Sequence, residues 1–394
     1  MEQTRARRMA RRSRSSVLTA VAAALAGLAG LLLPVLGPAG EAEAATGIRV
    51  SNGRVVEANG NDFVMRGVNH AHAWYTGRTG SIADIKAKGA NTVRVVLASG
   101  QRWTRTSASE VSGIVNLCKQ NRLICVLEVH DTTGYGEQSG AATLSQAADY
   151  WIGVKSALAG QENYVVINIG NEPFGNTGYD RWASETSAAI RKLRDAGFDH
   201  ALMVDAPNWG QDWSNTMRNS ASTVFNSDPD RNTIFSVHMY GVYDTAAEVQ
   251  SYLNHFVSNR LPIVVGEFGH NHSDGNPDED AIMSTAQSLR IGYLGWPWSG
   301  NSSDVGYLDM VNNFNANSLT SWGTRIFNGA NGIASTSREA TVYRGGSGGG
   351  SGGGTAPNGY PYCAGGGSSD PDGDGWGWEN NRSCVVPGGP ADRP

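Results

Sequence analysis

Between Asp62 and about Phe327, short apolar runs rich in β-branched residues alternate with longer amphipathic stretches. The apolar runs predict eight strands, at Phe63–Asn69, Thr92–Leu97, Leu123–Val129, Val165–Asn168, Leu202–Asp205, Ile234–His238, Ile263–Glu267 and Gly292–Trp296. The amphipathic stretches predict helices, at Ser81–Lys88, Ser107–Gln120, Ser145–Ala159, Tyr179–Ala196, Trp213–Asn219, Ala246–Asn259, Asp278–Leu289 and Thr320–Phe327.

The predicted strands are continuous apolar segments rather than alternating ones. Strands of that kind are buried on both faces, as in a parallel sheet covered by helices. Eight of them, alternating with helices over about 270 residues, predict an α/β fold, the (β/α)8 TIM barrel. An open doubly wound sheet is the alternative, but no Gly-rich phosphate-binding motif follows any early strand.

The first 44 residues differ from the rest of the chain and predict a signal peptide. Six arginines precede the apolar run Val17–Leu36, and Ala42-Glu43-Ala44 then matches an A-x-A cleavage site. A membrane anchor is the alternative, but the run contains Pro34 and ends in small residues. The protein is therefore expected to be secreted and extracellular, with no membrane attachment after cleavage. Twin-arginine export and ordinary secretion both stay open.

The rest of the chain divides by composition. The predicted parts are a catalytic barrel at 45–333, a Gly/Ser-rich linker at 334–359 that contains the run GGSGGGSGGG, and a small C-terminal β module at 360–394. The module is too short to build a core of its own, so a cysteine pair is expected to staple it.

The four cysteines fall into two local pairs. Export places them in an oxidising compartment, where disulfides form. Two bridges, Cys118–Cys125 and Cys363–Cys384, are the simplest assignment, and two buried thiols are the alternative for the first pair. The C-x6-C spacing has no neighbouring histidine and gives little support for a metal site.

The charge of the chain argues against one class of partner. The formal net charge is −5, and the part after residue 44 is more acidic still, because the first 44 residues hold six Arg and three Glu. Nucleic-acid binding needs basic surface to neutralise phosphates, so no nucleic-acid partner is expected. A neutral polymer such as a polysaccharide is compatible with this charge.

In a (β/α)8 barrel the chemistry lies at the C-terminal ends of the strands. Those positions hold glutamates, an arginine, histidines and aromatic residues, namely Asn69-His70, Arg94, His130-Asp131, Asn171-Glu172, Asp205, His238-Met239-Tyr240, Glu267 and Trp296. Loops that only connect elements do not usually carry such a set, so this end of the barrel is the predicted site.

Two of the apolar strands lead to a glutamate, Glu172 and Glu267. A carboxylate beside the apolar barrel wall costs desolvation free energy unless its charge is used. Two carboxylates that converge over the barrel axis, about 5 Å apart, suit a retaining glycosidase, in which one donates a proton and the other attacks the anomeric carbon. A helix cap or a salt bridge is a reasonable alternative for one glutamate, but not for both in this alternation.

Three short motifs in this order resemble glycoside hydrolase family 5: Arg66-Gly67-Val68-Asn69, Asn171-Glu172-Pro173 and Gly266-Glu267-Phe268-Gly269. The resemblance covers about residues 46–333. Two further segments, Gly67–Tyr75 and Gly295–Asn301, are similar to the bacterial β-mannanase branch of that family.

The resemblance implies a role for each residue. Glu172 would be the general acid/base and Glu267 the nucleophile, and Arg94 would hydrogen-bond Glu267 and keep it ionised. The other implied substrate-binding residues are Asn171 at the sugar hydroxyl next to the reacting carbon, His130 and His238 along the cleaved subsite, Tyr240 towards the nucleophile, and Trp296 as the stacking floor under the sugar.

Several other residues stay open between a functional and a structural role. Trp209 and Trp298 are either outer sugar platforms or packing at the barrel rim. His70, His72 and Trp74 are candidates for the subsites on the glycone side.

No catalytic metal is predicted, and no cofactor is required. The acidic segment Ser273–Asp280 is a candidate for structural calcium, but Asn276-Pro277 followed by acidic residues is also typical of a helix start, which is the favoured interpretation. The run Asp370–Gly375 lacks the bidentate glutamate of a calcium loop and is interpreted as a turn. The His-x-His pairs lack further ligands for zinc.

The tail resembles a family 10 carbohydrate-binding module, on Tyr360–Cys363, Gly375–Asn380 and Ser383-Cys384. Trp376 and Trp378 alternate, so in a strand they share one face that would stack on cellulose or mannan. A stapled tail without a ligand is the alternative. The segment has only two cysteines and no clear N-terminal half of that module, so it is interpreted as truncated.

The two-glutamate site predicts a retaining glycosidase, and the resemblance to the β-mannanase branch implies a secreted, monomeric endo-β-1,4-mannanase that cleaves internal bonds of mannan, galactomannan and glucomannan. A β-1,4-endoglucanase of the same family is the nearest alternative, because the two-carboxylate chemistry does not distinguish C2 epimers. A non-catalytic polysaccharide-binding barrel is the alternative from another class, but such a scaffold has no need for both glutamates together with Arg94, Asn171 and Tyr240.

Overall fold

The computed structural model describes residues 47–343, 356–363, 370, 373–379, 382–386 and 389–392. The predicted signal peptide and the GGSGGGSGGG run of the linker lie outside these residues. Within the described ranges, no helix is both long and apolar enough to cross a lipid bilayer.

A closed ring of parallel strands forms the centre of the fold. Two short strands, β1 (Arg49–Ser51) and β2 (Arg54–Val56), pair antiparallel ahead of it. The ring strands are β3 (Arg66–His70), β4 (Thr92–Leu97), β5 (Ile124–Val129), β6 (Val165–Asn168), β7 (Leu202–Asp205), β8 (Thr233–Met239), β9 (Ile263–Phe268) and β10 (Gly292–Gly295). They follow one another in sequence order, and β10 pairs with β3 to close the ring. The predicted TIM barrel is confirmed.

Helices connect successive strands. Their bounds are α1 (Ser81–Ala87), α2 (Ala108–Gln120), α3 (Leu144–Gly153), α4 (Trp182–Asp195), α5 (Thr216–Ser227), α6 (Ala246–Ser258), α7 (Glu279–Leu289), α8 (Ser321–Asn328) and α9 (Ile333–Thr336). Asp278 caps α7 by accepting the Ala281 N–H at 2.8 Å. The acidic segment at 273–280 therefore leads into a helix start, as the favoured interpretation had it.

The core has an outer part, an inner part and a polar layer. Outward residues such as Leu127 pack against the helices, whereas Val126, Val166 and Met203 pack together inside the barrel. The next inward positions towards the C-terminal ends of the strands are buried and polar, namely Asn69, Arg94, Glu128, Asn168 and Asp205. A buried polar layer is costly unless its members bond to one another. The site is built in this layer.

The loop after β7 differs from the prediction. The sequence pattern places a helix at Trp213–Asn219, whereas α5 begins later and runs to Ser227. The carboxylate of Asp212 accepts the backbone N–H groups of Met217 at 2.8 Å and Arg218 at 2.9 Å, in the first turn of α5. Such a contact satisfies N–H groups that have no partner within the helix. Apolar periodicity does not report it.

The folded barrel domain continues past residue 333, where the linker was expected to begin. Helix α9 crosses that position, and Ala340 packs with the inner core. The Tyr343 hydroxyl donates to the Leu123 carbonyl at 2.8 Å, and Glu57 accepts the Thr341 N–H at 2.6 Å. Residues 334–343 thus cover the N-terminal end of the barrel and are not linker.

One of the two predicted disulfides is present. Cys363 and Cys384 are bonded in the tail, where β11 (Trp376–Glu379) pairs antiparallel with β12 (Arg382–Val385). Cys118 and Cys125 are free and fully buried, with their Sγ atoms 2.9 Å apart, so the predicted bridge between them is wrong. They lie between α2 and the barrel wall, where free thiols pack as small apolar groups.

Candidate active site

Arg94 lies at the centre of the polar layer and is fully buried. Its guanidinium donates five hydrogen bonds of 2.7–3.0 Å, to Asn168 Oδ1, Asn69 Oδ1, Glu267 Oε1, Asn171 Oδ1 and Asp205 Oδ2. Arginine has five N–H donors, so every one is used. Burial lowers the pKa of Arg94, but the charges of Glu128, Asp205 and Glu267 outweigh it and raise the pKa above its usual value. The cation is fixed in one orientation.

Glu267 is one of the carboxylates that Arg94 holds, and it is 4% exposed. Its Oε1 accepts from Arg94 at 2.7 Å, and its Oε2 accepts from the Tyr240 hydroxyl at 3.0 Å. Burial raises the pKa of Glu267 above its usual value, and Glu172 adds to the increase, while His238 and Arg94 oppose it. The two donors orient the carboxylate and favour its ionised form.

Glu172 lies in a strained loop after β6. Its φ angle is 40° and that of Phe174 is 72°, both in the left-handed region that side chains other than glycine avoid. Two hydrogen bonds from the neighbouring loop hold this backbone in place. The Thr132 hydroxyl donates to the Asn171 carbonyl at 2.6 Å, and the Gly134 N–H donates to the Glu172 carbonyl at 3.0 Å. Strain of this kind persists where the surroundings enforce it, often at functional sites.

His238 connects the two glutamates. Its Nδ1 lies 2.7 Å from Glu172 Oε1 and 3.6 Å from Glu267 Oε2, and its Nε2 lies 3.3 Å from Asp205 Oδ2. Burial lowers the pKa of His238, but the charges of Glu267 and Asp205 outweigh it and raise the pKa to about 10. Burial also raises the pKa of Asp205, but His238 and Arg94 bring it below its usual value. His238 is therefore a cation at neutral pH, and its Nδ1–H donates to Glu172.

A β-bulge positions His238. The register between β8 and β9 shifts after Val237, so that His238 pairs with Glu267 and Gly266 is passed over. A bulge of this kind re-aims a side chain. Gly266 makes the close approach feasible, because a Cβ there would lie 2.2 Å from the Ser236 hydroxyl oxygen.

The spacing of the carboxylates indicates a type of chemistry. One ligand atom from each of Glu172, His238 and Glu267 lies within 4.8 Å of the others. Retaining glycosidases hold their carboxyl groups about 5–5.5 Å apart, whereas inverting ones need about 6.5–9.5 Å for a water molecule. Within the described residues these three side chains are also a group whose ligand atoms lie close enough together to hold a metal ion. His238 Nδ1 is already bonded to Glu172, and the absence of a catalytic metal stays a prediction.

Aromatic side chains line the site next to the glutamates. The His130 ring stacks on Trp296 with centroids 5.8 Å apart and planes inclined by 16°, and Trp74 and Trp103 pack around it at 4.9 and 5.5 Å. Its Nδ1 lies 2.9 Å from Glu128 Oε1. Burial lowers the pKa of His130, but Glu128 and the two predicted catalytic glutamates outweigh it and raise the pKa. A half-buried Trp296 beside this imidazole offers a sugar both a flat apolar surface and a polar group.

The residues that the sequence predicted for the active site lie together in the structure. Arg94, His130, Asn171, Glu172, His238, Tyr240, Glu267 and Trp296 are all linked by the contacts above or border them. Asn171 Nδ2 also donates to Thr133 Oγ1 at 2.9 Å. Sequence reasoning placed Asp205 at this end of the barrel without giving it a role, and it missed Glu128 and Trp103. A signal for Glu128 was present, since it is a single carboxylate inside the apolar run of β5.

The structure shows the surroundings of the residues whose role, functional or structural, the sequence left open. Trp298 is fully buried and packs edge-on against Phe327, so it is packing and not a platform. His70 and His72 are buried as well, while Trp74 is 38% exposed. Trp209 is half-buried, with its ring against the loop that carries Gly134.

The barrel has a counterpart among known families. Residues 56–302 match the family model described as cellulase (glycosyl hydrolase family 5). The chain belongs to glycosyl hydrolase family 5. Residues 353–386 match a second model, of a family 10 carbohydrate-binding module, described as a cellulose or protein binding domain. Both parts of the predicted family resemblance are thus confirmed.

Similar proteins at 57–72% identity are mannanases. A mannan endo-1,4-beta-mannosidase of Streptomyces lividans is 72% identical over 364 residues, which cover 92% of this chain and 94% of that protein. A protein of the same description from Cellvibrio japonicus is 57% identical, covering 87% and 80%. A solved β-mannanase from Thermomonospora fusca is 62% identical with a TM-score of 0.75, covering 76% of this chain and 100% of that one. An endoglucanase of Thermobifida fusca, 16% identical with a TM-score of 0.57, shares the fold.

Proposed function

We propose that this family 5 hydrolase is a secreted endo-β-1,4-mannanase that cleaves internal β-1,4-mannosidic bonds by double displacement with net retention. One observation carries the proposal. Glu172 and Glu267 both lie next to His238, and their carboxylates are close enough together for a retaining glycosidase. Relatives at high identity are named for cleavage of mannan.

In the first step Glu267 attacks the anomeric carbon. The glycosidic C–O bond breaks, Glu172 gives its proton to the leaving oxygen, and a glycosyl ester forms on Glu267. Arg94 and Tyr240 hold the attacking carboxylate in place and favour its ionised form before attack. The proposed role of Asn171 is to hydrogen-bond the hydroxyl next to the reacting carbon.

In the second step Glu172 acts as a base. It removes a proton from a water molecule, whose oxygen attacks the anomeric carbon and displaces Glu267. Two inversions restore the β configuration. His238 stays bonded to Glu172 as a fixed cation, so the charge on Glu172 after proton transfer has a donor 2.7 Å away.

The choice of mannan over cellulose rests on the relatives and not on the two glutamates. The solved β-mannanases with similar sequences include a complex with mannohexaose. A β-1,4-endoglucanase activity is the second candidate, because a Caldicellulosiruptor saccharolyticus protein that is 52% identical over 292 residues is described as a β-mannanase/endoglucanase. The chain covers 22% of that protein.

The test is product analysis on galactomannan, glucomannan and carboxymethylcellulose, with Glu172→Ala, Glu267→Ala and the surface control Glu185→Ala. We expect short manno-oligosaccharides of initial β configuration by NMR from the wild type and the control, and loss of activity in the first two variants. Azide should restore bond cleavage with an activated substrate, giving a β-glycosyl azide from Glu172→Ala and an α-glycosyl azide from Glu267→Ala.

Several outcomes would contradict parts of the proposal. Cleavage of the cellulosic substrate alone would overturn the substrate. An initial α product would overturn the retaining mechanism. Full activity of Glu267→Ala would overturn its role as the nucleophile.

The C-terminal module is proposed to hold the enzyme on insoluble cellulose or mannan. Trp376 and Trp378 are 37% and 64% exposed and alternate along β11, so they lie on one face of the small sheet. We expect Trp376→Ala/Trp378→Ala to lose binding to the insoluble polymers in pull-down assays, with unchanged activity on soluble mannan. Unchanged binding would leave the tail without this role.

The remaining parts of the proposal concern location and cofactors. Secretion after removal of residues 1–44 predicts a mature N-terminus at Ala45 in the culture medium.

The chemistry uses only protein groups, so activity should survive chelation by EDTA; a loss restored by calcium would point to a structural ion. Size-exclusion chromatography should give a monomer.

A further inference from the structure

The loop after β7 carries an exposed tryptophan that the mechanism does not use. Trp213 lies in the loop after β7 and is 45% exposed. Its indole N–H donates to Asn176 Oδ1 at 3.0 Å, and its ring packs edge-on against Tyr179 with centroids 5.4 Å apart. The ring is therefore held in one orientation while much of it faces solvent. A rigid, exposed aromatic ring has the properties of a stacking platform.

The backbone under this ring is strained and anchored. Four residues of the loop that are not glycine have φ angles of 51–58°, namely Asn208, Trp209, Asp212 and Asn215. Asp212 anchors the loop. Its carboxylate accepts a hydrogen bond from the Tyr252 hydroxyl at 2.7 Å, and it also caps α5. Several strained residues in one loop cost free energy, and they are found where a precise backbone serves binding or catalysis.

The position of the platform relative to the scissile bond follows from the loops. Asn176 lies four residues after Glu172 in the same loop, and Asn208 Nδ2 ties that loop to the next by donating to the Gly175 carbonyl at 3.2 Å. Glu172 protonates the glycosidic oxygen, to which the leaving part of the polymer is attached. A ring fixed to the acid/base loop would therefore serve the leaving-group side. Trp296 follows β10, which is opposite β6 in the ring of strands.

Polar groups lie beside the ring. A surface cavity of about 350 Å³ is lined by Trp213 together with Asn215, Arg218, Glu248 and Ser251. A sugar presents an apolar face of C–H groups and a rim of hydroxyls, so an aromatic ring next to amide, guanidinium and carboxylate groups suits it. We propose that Trp213 is the platform of a subsite for a mannosyl residue on the leaving-group side of the scissile bond. This inference rests on the proposed function.

The test compares Trp213→Ala with the wild type on two substrates. Mannohexaose reaches beyond the cleaved bond on both sides, whereas 4-nitrophenyl β-mannobioside has a leaving group of a single ring. We expect kcat/KM on mannohexaose to fall about three- to tenfold, mainly through KM, with no change on the nitrophenyl substrate. With mannohexaose labelled by ¹⁸O at the reducing end, the main cleavage should move towards that end, because the platform no longer holds leaving-side sugars.

Two further variants control the result. Ile152→Ala removes an exposed apolar side chain from α3, to which no role is assigned, and should leave mannohexaose cleavage unchanged. Asn176→Ala frees the indole N–H and should give a smaller loss than Trp213→Ala. Equal losses on both substrates, or a change below twofold on mannohexaose, would overturn the inference while the proposed function stands. If the wild type does not cleave mannohexaose, it is the proposed function that fails.

Discussion

Replacing Arg94 tests the central network. Arg94→Met removes a buried cation that donates five hydrogen bonds and lies within 4.0 Å of three carboxylates. Removing one partner of a buried ion pair costs about 3–5 kcal/mol, because the opposite charge is left uncompensated. Here Glu128, Asp205 and Glu267 lose the same partner, so we expect a loss at the upper end of that range.

Arg94→Lys separates charge from geometry. Lysine keeps the positive charge but has three donors on a point charge, so at least two of the five acceptors lose their partner. Each hydrogen bond lost from a buried group costs about 1–3 kcal/mol, partly offset by rearrangement. We therefore expect Arg94→Lys to be more stable than Arg94→Met but far less active than the wild type, because Glu267 is no longer held by a fixed fork.

The measurements are urea unfolding followed by circular dichroism and the pH dependence of kcat/KM on soluble mannan. Loss of the cation raises the pKa of Glu267 further, so the acidic limb of the profile should move to higher pH in Arg94→Met. Arg122→Met is the matched control: its side chain is 60% exposed and pairs with Glu339 at 3.5 Å, which predicts a change below about 1 kcal/mol. An Arg94→Met variant within 1 kcal/mol of the wild type and with an unmoved acidic limb would refute the reasoning. If that variant does not fold, a fully active Arg94→Lys would refute it instead.

Three further predictions follow from the same contacts. Tyr240→Phe removes one donor from Glu267, so the acidic limb of kcat/KM should move up by about 1–2 pH units; an unmoved limb would contradict this. Glu128→Gln removes the anion next to His130, so NMR titration should find a lower imidazole pKa than in the wild type, and an equal value would exclude the pairing. Burial raises the pKa of Asp212 to about 6 from 3.8, so between these values the folded chain keeps a proton that the unfolded chain loses, and stability falls as pH rises. Asp212→Asn should lack this fall in urea titrations at pH 4 and pH 7, whereas an identical slope would show that the fall arises elsewhere.

The sequence pattern predicted most of the barrel strands, because a buried strand is visible in the sequence as a run of apolar residues. The runs at Thr92–Leu97, Val165–Asn168 and Leu202–Asp205 are strands with the predicted bounds. Parallel strands buried on both faces are apolar throughout, so each one can be read without its neighbours. The strand ends then identified Glu172 and Glu267, since a helix cap or a salt bridge explains one such carboxylate but not two in this alternation.

Local features with no periodic signal were predicted less well. The start of α5 depends on Asp212, which caps it through side-chain bonds, and not on an apolar pattern. The stretch 334–343 is polar enough to suggest a linker, yet its few apolar residues fill the end of the barrel. Cys118 and Cys125 have a spacing that allows a bridge, and packing between α2 and β5 leaves them as thiols.

The sequence alone thus determined the ring of strands, the identity of the two glutamates and the end of the barrel at which they meet. Only the tertiary structure decided which residues pair with each charged side chain of the site. Arg94 bonds to Asn168 and Glu267, which are 74 and 173 residues away, and a bulge in β8 brings His238 opposite Glu267. Periodicity along a strand reports whether a side chain is buried, whereas its charge partners come from other strands, and closure and register of the barrel set which of them lie within hydrogen-bonding distance.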